Sequence, residues 1–322
     1  MTNAASPSPS HRPTPRRRPG RLAVSDIELR LLRVFAEIVR CNGFTAAETA
    51  LGMSQATIST HMRHLEERVG LRLCERGRGG FLLTEEGRRV HQATLELFGS
   101  IERFEGRLGD IAGDMAGRLA FGTVDAMAGN TGLKLHEAFA TFHRAAPRVE
   151  LEIEIAAPQA LAQGLASGRY QLAVLPAQDG AALEAGEDIF TERQNLYCGR
   201  RHPLFDLPDA ALTAELLAAQ DFAGRSYMRS PVICGVAFRW AATTAHMEGT
   251  LLLLLSGGYI GFLPDHYAAS AGAGLRALAP DRLSFTDHFR LVHGREQPTR
   301  AARLLAEAIR QAAAHPRAIP AV

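Results

Sequence analysis

The residues from Gly43 to Gly70, GFTAAETALGMSQATISTHMRHLEERVG, leave this chain few ways to fold at its N-terminal end. Their amphipathic spacing is broken once, at Gly52, between two stretches that each carry their own start and stop signals. Upstream, Asp26 leads into Ile27, Leu31, Val34, Phe35 and Ile38, a helical stripe that ends near Asn42 and Gly43. Thr45 is placed to cap a short second helix that Gly52 terminates. Ser54 is placed to cap a third, on which Ile58, Met62, Leu65 and Val69 define one buried face. The opposite face carries Ala56, Ser59, Thr60, Arg63 and Glu67, with Thr57 at its flank. Its first two turns are small and uncharged until Arg63, where a solvated helix more often shows Glu and Lys. A surface that presses against base edges needs short hydroxyls, an amide and little acid. Two helices across a tight turn, the second so tipped, form the helix-turn-helix pattern. The pattern alone leaves a plain packing hairpin equally open.

The residues that follow favour DNA. LRLCERGRGGFLLTEEG predicts two short strands, 72–75 and 81–84, joined by an Arg/Gly loop. That is a winged hairpin, with Arg76 and Arg78 where a wing meets phosphates. The run SQATISTHMRHLEERVGLRLCERGRGGFLLTEEG resembles the signature of LysR-type transcriptional regulators. Ser54, Gln55, Ser59, Leu65, Glu66, Gly70, Leu73, Glu75, Arg76, Leu83, Thr84 and Gly87 all match it. Two positions depart: Cys74 replaces the usual wing Phe, and Thr60 stands where the family usually has Arg. The second departure removes a DNA contact, so a site preference does not carry over from relatives. The expected DNA-binding set is Ser54, Gln55, Ala56, Thr57, Ser59, Thr60, Arg63, Arg76 and Arg78.

Charge agrees once it is divided. The 322 residues carry a net charge of only +2. Residues 1–89 hold 15 Arg against 9 acidic residues, a net +6, and the remainder holds 21 basic against 25 acidic residues, a net −4. A polyanion would therefore meet the N-terminal end, although residues 1–24, read as a disordered Pro/Ser/Arg tail without a secretory signal, supply part of that excess. Lys134 is the only lysine. The composition, 46% hydrophobic and 22% charged, is that of a globular protein, and no apolar run approaches the ~20 residues that span a bilayer. Cys41, Cys74, Cys198 and Cys234 form no CxxC and no zinc spacing, so neither a metal nor a cofactor is implied.

After the winged helix-turn-helix at 25–84, a long helix is predicted over 85–113. Thr94, Leu97, Ile101, Phe104, Leu108 and Ile111 step by three and four along it, a short heptad seam. From Gly117 the pattern changes to strands alternating with helices: RLAFGTV, NTGLKLHEAFATFHRAAP, RVELEIEIAA, QALAQGLASGR and YQLAVLP. That order predicts a doubly wound parallel sheet. A second α/β set follows in NLYCGRRHPL, LTAELLAAQ and LLLLLSGGYIGFLP, before a closing strand and helix in FTDHFRLVHG and TRAARLLAEAIRQ. The family resemblance extends here through RVELEIEI, His202-Pro203-Leu204 and GGYIGFLP. It implies a two-lobed effector domain over 118–318, like type II periplasmic binding proteins. Lobe I would comprise about 118–194 and 285–318, and lobe II about 195–284.

In such a fold a ligand lies between the lobes, beyond the carboxyl ends of strands and near helix N-termini. The residues placed there are Asp125, Ala126, Asn130, Thr131, Pro158, Gln159, Arg225, Ser226 and Tyr227. Asp125 has a bland alternative as a helix N-cap; if it faces the cleft, it opposes a carboxylate at that spot. The resemblance implies a cytoplasmic regulator, dimeric or tetrameric through Leu97, Ile101, Phe104 and Leu108. It would bind promoter DNA and a small-molecule effector, with RNA polymerase as a further partner if it activates. A redox sensor of the same architecture, using Cys198 and Cys234, is the alternative. Catalysis has little support: no phosphate loop or nucleophile elbow is present, His61 and His64 have no metal-binding companion, and Asp265-His266-Tyr267 reads as a strand-exit loop.

Overall fold

The computed structural model of the chain describes residues 25–77, 80–111, 115–177, 186–228, 230–295 and 297–313. The expected N-terminal tail lies outside the described residues. Two compact units, 1–97 and 98–322, divide the chain.

In the first unit, α1 (Asp26–Arg40), α2 (Phe44–Leu51) and α3 (Gln55–Val69) precede a hairpin of β1 (Cys74–Gly77) and β2 (Gly80–Leu83). Glu28 on α1 reaches back to accept from the Ser25 backbone N–H at 3.0 Å, and its other oxygen pairs with Arg68 on α3. That carboxylate is 1% exposed, and its pairing is what permits burial there. Leu31, Val34, Phe35, Ile38, Ile58, Met62 and Leu65 fill the core as their spacing predicts, with Val69 half-buried.

The predicted caps need one correction. Helix α2 starts at Phe44, not after Thr45, and Gly43 at φ 152° is its N-cap. Phe44 is buried and packs edge-on to Phe81 of β2, so tertiary packing draws the helix start forward. Ser54 does cap α3, accepting from the Thr57 N–H at 3.3 Å. The hairpin strands are also shifted from the predicted 72–75 and 81–84. Arg72 and Leu73 bond to the next helix's N-cap instead of a strand partner: the Thr84 hydroxyl donates to the Arg72 carbonyl at 2.7 Å and accepts from the Gly87 N–H at 2.8 Å. A Cβ on Gly87 would stand 1.9 Å from the Leu73 carbonyl oxygen, so only glycine allows this approach.

The long helix α4 (Glu85–Ile111) runs across the division between the units. Thr94 is buried, whereas Phe104, Leu108 and Ile111 are 55%, 49% and 83% exposed. Within the second unit, Arg103 of α4 is buried and donates to the Gly168 carbonyl at 2.8 Å.

The second unit contains β3 (Ala116–Thr123), α5 (Leu135–Ala145), β4 (Arg148–Ile155), α6 (Pro158–Ser167), β5 (Leu172–Pro176) and β6 (Glu187–Gly199). There follow α7 (Ala214–Ala218), β7 (Asp221–Arg225), β8 (Arg239–Thr244), α8 (Met247–Ser256), β9 (Ile260–Pro264), α9 (Asp265–Ser270), β10 (Leu275–Ala277), β11 (Ser284–His293) and α10 (Arg300–Ala313). Among the described residues these strands form one nine-stranded sheet, ordered β4-β3-β5-β11-β6-β9-β7-β8, with β10 paired to β6. β3, β4 and β5 are parallel, as predicted, and β7 is parallel to β8 and β9. The antiparallel pair β6 and β11 joins the two sets. One core lies around Phe121, Phe142, Leu161 and Leu305, another around Phe222, Phe238, Phe262 and Leu196. The unit is thus two-lobed, and the boundary read at 194/195 falls inside β6. Helix α5 starts at Leu135, later than predicted, because Asn130 turns its carbonyl Oδ1 onto the N–H groups of Gly132 and Leu133. Asp265-His266-Tyr267 is the first turn of α9 and not a loop. No described helix is long and apolar enough to cross a membrane.

Candidate functional site

The exposed side of α3 presents Gln55, Ala56, Thr57, Thr60 and Arg63 to solvent, with Ser59 half-buried among them. Helix and cap are tightly organised. The Gln55 N–H donates to Glu48 of α2 at 2.5 Å, and its side-chain amide reaches the Thr45 hydroxyl at 3.4 Å. The Thr60 hydroxyl bonds back to the Ala56 carbonyl at 3.0 Å. Glu66, on the side of α3 towards the wing, accepts from the N–H groups of Leu73 and Cys74 at 2.7 and 3.4 Å. One carboxylate therefore fixes the start of the hairpin against α3. The side chain of Arg76 and the whole of Arg78 lie outside the described residues.

A second polar centre lies between the lobes of the larger unit. Glu192 on β6 is 5% exposed and accepts from the Asn130 amide at 3.0 Å and the Gln194 amide at 2.8 Å. Arg225, at the end of β7 and 6% exposed, donates to the side-chain Oε1 of Gln194 at 2.6 Å. Asp287 stands opposite Glu192 in the β6–β11 register. His266 of α9 has its Nε2 3.0 Å from the Ala126 carbonyl, and its Nδ1 is 3.6 Å from Glu192. A carbonyl only accepts, so Nε2 carries the proton and, in the neutral ring, Nδ1 turns a lone pair towards the carboxyl. Burial pushes Glu192 up to about 7 against the opposing pull of Arg225, and Asp287 is raised for the same reason. Burial lowers His266. Tyr227 is raised by burial and feels Arg225, Asp125 and Asp287.

Asp125 does cap a helix, but a distant one. Its Oδ2 accepts from the Met247 N–H at 2.5 Å, at the start of α8. The neighbouring Ala126 takes φ 63°, a left-handed conformation disfavoured for a side chain with a Cβ. These two residues of lobe I thus carry hydrogen bonds to α8 and α9 of lobe II. Of the nine residues placed in the cleft, Asp125, Ala126, Asn130, Arg225 and Tyr227 come together. Of the other four, Thr131, Gln159 and Ser226 are exposed, and Pro158 is buried at the first turn of α6. The bend after Arg225 turns Ser226 outward, and the polar centre sits on β6 instead of at the α6 N-terminus.

Two family descriptions cover most of the chain. "Bacterial regulatory helix-turn-helix protein, lysR family" matches residues 29–88, and "LysR substrate binding domain" matches residues 112–314. The chain belongs to the LysR family. It is a DNA-binding transcriptional regulator with an effector-binding domain. It is 35% identical over 274 residues to the HTH-type transcriptional activator BauR of Pseudomonas aeruginosa, covering 84% of this chain and 90% of that one. It is 26% identical over 210 residues to the regulator YtlI of Bacillus subtilis, covering 65% of each. The fold matches the full-length regulator CbnR solved with its target DNA, with a TM-score of 0.60, 16% identity, and coverage of 88% and 99% of the two chains.

In this LysR-family chain Glu192, Gln194, His266 and Asp287 were not identified from the sequence. A signal did exist. Glu192 and Gln194 alternate in phase with buried Leu196, so they occupy the apolar phase of their strand. For the redox alternative, Cys198 is fully buried and pushed up to about 11, and Cys234 is also raised, both by burial. Neither is a ready thiolate at neutral pH.

The Glu192 carboxyl has a measurable consequence. Its folded pKa lies above the unfolded value, so the associated stability is complete below about pH 4.5 and is lost as pH rises through about 7. Glu192→Gln mimics the protonated form. The variant is expected to gain on wild type by roughly 3 kcal/mol between pH 4.5 and pH 8. Thermal melts of both proteins across that range check it; a constant difference would show that Glu192 does not titrate near neutrality.

Proposed function

We infer that the regulator reads promoter DNA with Gln55, Thr57 and Ser59 of α3 in the major groove, flanked by Ser54, Ala56, Thr60 and Arg63, while Arg76 and Arg78 of the wing meet the backbone. The region 25–84 acts as the DNA-binding domain, 85–113 as the linker and 118–318 as the effector domain. A small molecule enters between the lobes at Asp125, Asn130, Glu192, Arg225, Tyr227 and His266. The buried network from Asn130 through Glu192 and Gln194 to Arg225 carries this reading. Polar groups so deeply buried would be replaced at little cost by apolar ones if their only role were packing. Asp125 already fills the N-terminus of α8, so no effector carboxylate belongs there. The similarity to a transcriptional activator supports activation, with RNA polymerase as partner, in the cytoplasm where the DNA lies; the chain performs no catalysis in this reading. Subunits pair through α4, where Leu97 and Ile101 continue into the exposed Phe104 and Leu108.

Genomic fragments recovered on the purified protein supply an operator. Gln55→Ala and Ser59→Ala should then each weaken operator binding by about 1–3 kcal/mol and leave a scrambled duplex unaffected. Anisotropy titrations decide this, and operator binding equal to wild type would reduce α3 to a packing helix.

Ile101→Glu combined with Phe104→Glu should yield monomers or dissociated subunits in sedimentation velocity, because like charges would face one another across the seam. An unaltered oligomer would place the seam elsewhere.

For the cleft, a metabolite that raises the wild-type melting temperature in a thermal-shift screen should lose most of that effect with Tyr227→Phe or Asp125→Ala. Operator affinity without the metabolite should stay unchanged. If both variants respond as wild type does, the effector binds elsewhere.

A further inference from the structure

Beside the reading face of α3, next to the start of β1, lies an open hollow of about 380 Å³, lined by Ser59, Thr60, Arg63, Glu66, Arg72 and Cys74. At about 30 Å³ per water it has room for an oxyanion together with its hydration. Thr60 and Cys74, the two positions at which this chain departs from the LysR signature, both line it. Their short side chains leave the space open, and Arg72 borders it from the wing side.

Its charge is positive where it is uncommitted. Glu66 directs one oxygen onto the backbone N–H groups of Leu73 and Cys74, so its charge serves to anchor the wing. The Arg63–Glu67 pair is long, at 3.8 Å, and both side chains are about two-thirds exposed, which makes it weak. Arg72 is exposed, and its Nε donates to the Cys74 carbonyl at 3.3 Å. That bond steadies the guanidinium, and its two Nη groups have no partner among the described residues. A helix in the major groove and a wing at the adjacent minor groove straddle the sugar–phosphate backbone between them. The hollow lies at the junction of those two elements.

Resting on the DNA-binding role proposed for α3 and the wing, we propose that this hollow seats a backbone phosphate of bound DNA, held chiefly by Arg72 with Arg63 as the second cation. Arg72 thereby supplies from the wing side the guanidinium that position 60 lacks. A planar guanidinium held by its Nε leaves its outer N–H groups to grip a phosphate oxyanion. Because a phosphate carries no base identity, the contact adds affinity to every duplex.

The test uses full-length protein and a fluorescein-labelled 25-base-pair duplex of scrambled sequence, titrated by anisotropy at several salt concentrations. Arg72→Gln should weaken binding severalfold and lower the log–log salt slope by about 1. Arg72→Lys should keep the slope, since the charge remains. In the double variant Thr60→Arg with Arg72→Gln, a guanidinium returned to the same hollow should restore the slope. Arg295→Gln, at an exposed position of the other unit, should change nothing and controls for net charge. A wild-type slope in Arg72→Gln would overturn the proposal. So would failure of Thr60→Arg to rescue, or an Arg72→Lys variant as defective as Arg72→Gln, which would make Arg72 a structural prop of the wing. If Arg72→Gln melts early, the slope of Arg72→Lys decides: retained, it supports the phosphate seat; lost, it overturns it.

Discussion

The larger unit depends on the antiparallel pairing of β6 with β11. Every other strand belongs to one set or the other, and these two long strands make the sheet continuous from β4 to β8. Their pairing places the buried Glu192 opposite the half-buried Asp287, two acids with the buried guanidinium of Arg225 nearby to balance them. Burial of a charge without compensation is too costly to persist. The unit answers with hydrogen bonds from Asn130 and Gln194, with Arg225 behind Gln194, and with partial protonation of Glu192. Those partners come from lobe I, from the crossing strand and from lobe II. The arrangement of the lobes and the charge state of one carboxyl are therefore set together.

The DNA-binding unit is built on a comparable economy. The side chains of Glu66 and Thr84 each make two hydrogen bonds to backbone groups, the first linking α3 to the wing and the second linking the wing to α4. Neither residue is needed for the apolar core, which Phe35, Ile38, Ile58 and Leu65 supply. Their effect is on geometry. A helix tip reads base edges only if the flanking hairpin holds the backbone at a fixed distance, and four side-chain-to-backbone bonds define that distance better than packing of exposed loops does.

Much of this was legible in the sequence, and the failures share one cause. Local signals gave α1, α3 with its Ser54 cap, the wing, and the β3–α5–β4–α6–β5 run, because caps, turn glycines and periodicity act within a few residues. Partners distant in the chain decided the rest. Gly43 replaces Thr45 as the cap of α2 because Phe44 must meet Phe81. Asp125 was legible as an N-cap, yet the helix it caps begins 122 residues later. Strands β7 and β8 were missed because DFAGR is short and holds a glycine, whose hydrogen-atom side chain makes room for the Trp240 ring. Glu192 and Gln194 stood in an apolar phase, but nothing local says that Asn130, Arg225 and His266 gather around them.

The same network bounds how an effector can act. A ligand shifts a conformational equilibrium only by its differential affinity for the two states, typically 1–3 kcal/mol in allosteric proteins. Near neutrality the protonated and ionised forms of Glu192 lie close in free energy, since burial has raised its proton affinity into that pH range, so a coupling of that size is enough to choose between them. A donor group entering beside Glu192 would favour the ionised carboxylate and expel the proton, whereas an acceptor would retain it. Effector binding in the proposed cleft is therefore linked to proton uptake or release, and the sign of that linkage reports whether the group that meets Glu192 gives or takes a hydrogen bond.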